Sequence, residues 1–211
     1  MTRRSRESDL RLTAAIRRIG NARYVHLVII TLATTNEQRA EVQDLFNRVF
    51  VGIEENAVPV IEHDYLYAAL VPQIRDETGR IIAAAMTCRT QIAAGEIMAS
   101  RAGLPDRSGV LPLLDKHSEL DLIAVDPTHR GQGLASQLLG YLEAELASRG
   151  VRVWFGNVTA NLDADRLREF YNSHGFNVLP DFEPLPPLLG RDWTLPNSAM
   201  PQFYFYKRPR N

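Results

Sequence analysis

An α/β fold is predicted by three features of the 211-residue sequence. Strand-like and helix-like patterns alternate from residue 22 onward. Residues 119–139 run from an apolar strand through a glycine turn directly into a leucine-striped helix. A content of 45% hydrophobic and 23% charged residues is that of a chain with a real core.

The elements follow in order. The first 24 residues carry seven arginines against Glu7 and Asp9, and Leu12, Ile16 and Ile19 recur at helical spacing before Gly20. Residues 1–22 are therefore expected to be a basic arm or short helix ahead of a single domain at 23–211. Residues 24–32 are rich in Val and Ile and predict a strand. Thr35 with Gln38 has the spacing of a capping box, and Val42, Leu45, Phe46 and Val49 share one face of a helix ending near Phe50. Residues 65–74 and 80–91 are expected to be two strands of an antiparallel hairpin, turned by Asp76, Glu77, Thr78 and Gly79. Residues 92–117 are broken by Gly95, Gly103, Pro105, Gly109 and Pro112 and are expected to be irregular. A strand at 120–125 then leads through the glycine turn to a helix striped by Leu134, Leu138, Leu142 and Leu146 and ended by Gly150. A strand at 151–158, a helix at 163–174 stopped by Gly175 and a short strand at 176–179 come next. Six of the twelve prolines lie within 180–201, a rigid irregular loop, before the aromatic strand 203–206.

Composition excludes several functions. With one cysteine, Cys88, the chain forms no internal disulfide and no thiolate metal site, and a reducing, cytoplasmic setting is expected. A net charge of −1 gives no global attraction to nucleic acid or anionic lipid. The apolar runs 25–32 and 81–86 are far shorter than the ~20 residues of a membrane helix, so no membrane association is expected. His26, His63, His117 and His129 have no metal-ligand spacing, and no metal is predicted.

The turn at 126–136 is an anion site by construction. Gly131 and Gly133 let the backbone approach a diphosphate, the helix start presents unpaired N–H groups, and Arg130 adds a full charge. It is not a Walker A loop, because no lysine lies between Lys116 and Lys207. Nor is it a dinucleotide fingerprint, which wants a third small residue where Ser136 stands and normally opens the fold.

Arg130, Gly133 and Ala135, preceded by Ile123-Ala124-Val125 and Asp126-Pro127, match the acyl-CoA motif Gln/Arg-x-x-Gly-x-Gly/Ala. Tyr171, Gly175 and Phe176 match Tyr-x-x-x-Gly-Phe. In this order, with a strand between, they make the chain similar to the GNAT superfamily of N-acetyltransferases over roughly residues 23–207. The resemblance implies a mixed, mostly antiparallel twisted sheet flanked by helices, with acyl-CoA entering between the strand ending at Val125 and the one starting at Val151. It implies acetyl-CoA as acyl donor, with its pantetheine arm along the backbone of Ile123, Ala124 and Val125. Its pyrophosphate would lie on the amides of Arg130, Gly131, Gln132, Gly133, Leu134, Ala135 and Ser136. Many members carry an Asn seven residues before the Tyr; here that position is Ala164, and Asn161, three residues upstream, is the candidate cofactor contact.

The reaction so implied moves an acetyl group to a primary amine by direct attack. An alkyl amine of pKa ~10.4 costs about 4.6 kcal/mol to deprotonate at pH 7, so a general base is needed. Glu119 occupies the position of the family's strand glutamate. Asp121, on the same face by strand periodicity, is the reserve candidate. Tyr171 is the candidate proton donor to the departing thiolate. Cys88, in an apolar strand with no histidine near it, is expected to be inert, and His174 is expected to cap its helix. The acidic residues Glu54, Glu55, Glu62 and Asp64, with no Lys or Arg between them, suggest a cationic acceptor. Three further expectations remain open. One is an inactive acyl-CoA sensor on the same fold; another is an acetyltransferase of tRNA-linked or protein amines, using the basic arm. The third is a homodimer paired through the strand 203–206 as a sheet edge.

Overall fold

The computed structural model describes residues 28–159, 163–195 and 199–210. Its core is a seven-stranded sheet in the order β1-β2-β3-β4-β5-β7-β6. The strands are β1 (Ile30–Leu32), β2 (Pro72–Arg75), β3 (Ile81–Cys88), β4 (His117–Val125), β5 (Val153–Val158), β6 (Asn177–Val178) and β7 (Phe203–Lys207). Every neighbouring pair is antiparallel except β4 and β5. The fold is thus the α/β, mostly antiparallel sheet that the sequence predicts. Of the strand expected at 24–32, residues 30–32 pair in the sheet and 24–27 lie outside the described residues, as does the arm 1–22.

The helices are α1 (Asn36–Val49), α2 (Asp64–Tyr67), α3 (Gln91–Arg101), α4 (Leu134–Ser148) and α5 (Ala164–Ser173). Helix α1 begins with the expected capping box: the Thr35 side chain accepts from the Gln38 N–H and the Gln38 side chain accepts from the Thr35 N–H. It packs Val42, Leu45 and Phe46 on one face of the sheet against Ala84, Met86 and Ala124. On the opposite face α4 presents Leu134, Leu138, Leu142 and Leu146 to Ala83, Ala85 and Leu120, and Tyr171 of α5 packs with Trp154, Phe176 and Phe205. Small side chains at 83–85 let helices approach both faces of β3. Truncating a fully buried residue such as Leu142 to Ala would cost roughly 2–5 kcal/mol.

Three expectations are corrected. Residues 92–117 are not irregular throughout, because α3 fills 91–101. The Thr90 hydroxyl accepts from the Ala93 N–H to start this helix, and Gly95 is tolerated inside it. The expected strand 65–74 is α2 followed by β2. Arg39 draws Asp64 inward through a two-pronged ion pair of 2.7 Å, which fixes the start of α2. Strand 203–206 is not a sheet edge: β7 lies between β5 and β6, with both sides paired, so the homodimer expected through it loses its basis. The aromatic content of β7 reflects burial instead, since Phe203 and Phe205 are fully buried.

Candidate active site

Strand β4 carries the site because it has a different partner along each half. His117–Leu120 pair with Val153–Gly156 of β5, whereas Glu119–Val125 pair with β3. Beyond Leu120 and Gly156 the parallel strands part, and β5 continues against β7 through Asn157 and Val158. The parting coincides with a bulge: Thr87 faces Leu120 and Met86 faces Leu122, leaving Asp121 as the extra residue. A bulge bends its strand and raises local twist, which opens the edge of β4 at 121–125 toward β5. Gly156 lines this notch, and a Cβ there would lie 2.6 Å from the Phe205 ring and 2.7 Å from the Leu120 carbonyl oxygen.

At the end of β4 the chain enters the expected anion turn. The Asp126 side chain accepts from the Thr128 N–H to start a 3₁₀ turn at Pro127–His129, and Arg80 anchors the same carboxylate at 2.7 Å. Gly131 and Gly133 have φ of 79° and 76°, conformations that other residues adopt only under strain. Gly133 is the N-cap of α4 and no side chain caps the helix, so its first N–H groups face outward. Gly131, Gln132 and Gly133 are exposed, Ala135 and Ser136 half-buried, and Leu134 anchors the turn in the core. Arg130 is exposed and turns its Nε–H toward the Val125 carbonyl at 3.4 Å. Ile123 and Val125 pack toward the α4 face, Ala124 toward α1.

Glu119 and Asp121 meet on the other face. Glu119 is in register with Cys88 on one side and Phe155 on the other. Burial, and then the charge of Asp121, push its carboxyl up to about 8. Asp121 is exposed at the surface of β4, yet loss of hydration by the protein around it, and then the charge of Glu54, raise it to about 6. The two acids are electrostatically coupled despite the bulge between them. Cys88 stands beside both; burial and these carboxylates push its thiol well above its ordinary value, so it stays protonated. Burial and the Glu119 charge also raise the Tyr204 phenol.

Tyr171 lies on the opposite face, buried and stacked on Phe205 at 3.7 Å. Burial raises its phenol, keeping it a neutral donor. Phe205 joins Tyr171 to Gly156, and hence to the notch. Asn161 lies outside the described residues. His174 is a helix-end contact, with Nδ1 2.7 Å from the Phe170 carbonyl. Among the described residues no three His, Cys, Asp or Glu side chains are grouped to hold a metal ion. No helix among them is long and apolar enough to cross a membrane.

Two parts of the neighbourhood escape sequence reasoning. The acidic residues of 51–64 do not act together: Asp64 is paired to Arg39 and Glu62 accepts from Asn36, leaving Glu54 to act on Asp121. Beside Glu119, α3 and the proline-rich loop form one apolar cluster with β5 and β7, containing Ala93, Val110, Phe155, Leu188, Trp193 and Tyr204. His117, two residues before Glu119, belongs to the same face by strand periodicity, but nothing local in the sequence indicates its stacking on Trp193.

Residues 76–178 match a family model described as an acetyltransferase (GNAT) domain. Over this range the chain is similar to a GNAT acetyltransferase domain. Solved structures of similar fold include a GNAT-family acetyltransferase of Staphylococcus aureus, 12% identical, covering 86% of this chain and 99% of that one with a TM-score of 0.56. A GNAT-family protein of Desulfovibrio desulfuricans is 15% identical over 87% of this chain and 99% of its own, at 0.57. The GNAT N-acetyltransferase YhbS of Escherichia coli, solved in complex with CoA, is 17% identical over 87% of this chain and 82% of its own, at 0.55. No curated protein matches the chain significantly. The matched range spans β3 to β6 and so contains the notch, the glycine turn and Tyr171.

Proposed function

We propose that the protein, acting through one domain from residue 23 onward, is a cytoplasmic N-acetyltransferase that moves an acetyl group from acetyl-CoA to a primary amine. The observation that carries this reading is the joining, within one strand, of an open backbone edge at 121–125, an uncapped glycine turn beyond it and a half-buried carboxyl, Glu119, before it. The pyrophosphate is held by the amides of Arg130–Ser136 with the Arg130 charge, and the pantetheine pairs with the free edge of Ile123–Val125 as an added strand. The thioester then lies where the strands part, between the faces that carry Glu119 and Tyr171.

Glu119 accepts a proton from the ammonium acceptor, directly or through a water. Its raised carboxyl makes it a stronger base than an ordinary glutamate, although only its ionised fraction acts. The neutral amine attacks the thioester carbon, the N–C bond forms and the C–S bond breaks. Glu119 hands its first proton to solvent water and so is free to take the nitrogen's second proton, and Tyr171 supplies one to the thiolate before being reprotonated from solvent. Asp121, which acts on Glu119, and Glu54, which acts on Asp121, favour an acceptor that arrives as a cation. Free-thiol release from acetyl-CoA with a panel of mono- and diamines tests the reading. Binding of acetyl-CoA without release on any amine would leave a sensor in its place.

A further inference from the structure

His117 is an unexpected residue for a buried strand position. It is 2% exposed, and burial holds its imidazole down at about 4, so it is neutral at pH 7. Its ring is fully engaged. Nδ1 lies 3.1 Å from the Leu113 carbonyl, which can only accept, so Nδ1 carries the proton. Nε2 then presents its lone pair to Thr90, whose backbone N and Oγ1 are both at 3.4 Å. Thr90 is also the cap of α3 through the Ala93 N–H. One face of the ring stacks on Trp193 at 3.8 Å with 21° between planes, and Trp193 is tied within its own loop by Nε1–H to the Leu188 carbonyl at 2.8 Å. The same two segments also approach at Gly109, where an added Cβ would lie 2.2 Å from the Arg191 guanidinium.

We propose that His117 is a positioning residue that clasps the α3 segment and the proline-rich loop into one wall beside Glu119, and so sets how the acceptor amine is held. A leucine or phenylalanine would fill the same space without burying a polar ring; what only the imidazole adds is the simultaneous engagement of Thr90, Leu113 and Trp193 from one strand position. The wall stands on the face of Glu119 and apart from the anion turn, so the clasp bears on the acceptor and not on acetyl-CoA. This inference rests on the acetyltransferase reading.

The test uses full-length H117F, which keeps a ring against Trp193 but removes the hydrogen bonds of both ring nitrogens, with W193A and W193F beside it. H117F and W193A are expected to raise the acceptor KM about tenfold while the Kd of acetyl-CoA stays within about twofold, and W193F is expected to keep the wild-type KM. Trypsin cleavage after Arg191 should accelerate in H117F and W193A. An unchanged acceptor KM in folded H117F overturns the proposal, and so does an equal shift of acceptor KM and acetyl-CoA Kd, which a merely structural role would produce. Should H117F fail to fold, W193A carries the same test. Absence of turnover in the wild type is a distinct result, which would refute the acetyltransferase reading itself.

Discussion

Replacing Glu119 by Gln removes the proposed base while keeping its shape and hydrogen-bonding reach. With its carboxyl at about 8, about one-tenth of the wild type carries the ionised base at pH 7 and about half at pH 8. The wild-type kcat/KM should therefore climb about fivefold from pH 7 to pH 8 and level off near pH 9. E119Q should lose about 10²- to 10⁴-fold in kcat and lose this rising limb, while its Kd for acetyl-CoA stays within about twofold. Stability should move the other way. The folded-state carboxyl is raised above its ordinary value of 4.5, so its contribution is fully present below about 4.5 and is lost as pH rises through about 8. Wild-type urea midpoints should fall across that window, and E119Q, with nothing there to ionise, should fall less and be the more stable protein at pH 8. Thiol release followed from pH 5.5 to 9.5, with urea titrations at the same pH values, reads both. A limb that persists in E119Q with its midpoint near 6 would transfer the role to Asp121, whose carboxyl stands at about 6.

Other consequences are checked separately. Y171F keeps the stack on Phe205 and should lower kcat about tenfold or more without moving the melting temperature; equal loss of both would mark Tyr171 as a packing residue only. G156A should destabilise by about 1–3 kcal/mol in urea titration, because its methyl meets the Leu120 carbonyl oxygen and the Phe205 ring. Residual stability equal to wild type would mean that the β4–β5 notch is looser than the geometry states. G133A, forced to hold φ near 76°, should weaken acetyl-CoA binding in calorimetry and cost about 1–2 kcal/mol of stability, whereas an unchanged Kd would remove the turn from the cofactor site.

The parts of the fold legible in the sequence were those written locally. The capping box of α1, the leucine stripe of α4 and the strand–turn–helix run around Gly131 each depend on residues a few positions apart. Helix α3 was obscured because Gly95 weighs against a helix while its cap, Thr90, gains force only with the Ala93 amide in place. Asp64 marked an acidic stretch in sequence but is paired to Arg39, 25 residues away. The position of β7 between β5 and β6 is invisible in chain order, since a strand that arrives last can be inserted between earlier ones. At the site, Glu119 and Asp121 were legible as neighbours by strand periodicity. The bulge that separates their registers, and the loss of hydration that raises both carboxyls, belong to tertiary packing.

Amine acetylation by a base on β4 is measured most directly by free-thiol release at pH 8.5, with acetyl-CoA saturating and a diamine acceptor varied. Release that requires both substrates, matches the acetylated amine formed mole for mole and falls by orders of magnitude in E119Q is the predicted result. Saturable acetyl-CoA binding with no amine-dependent release would contradict it.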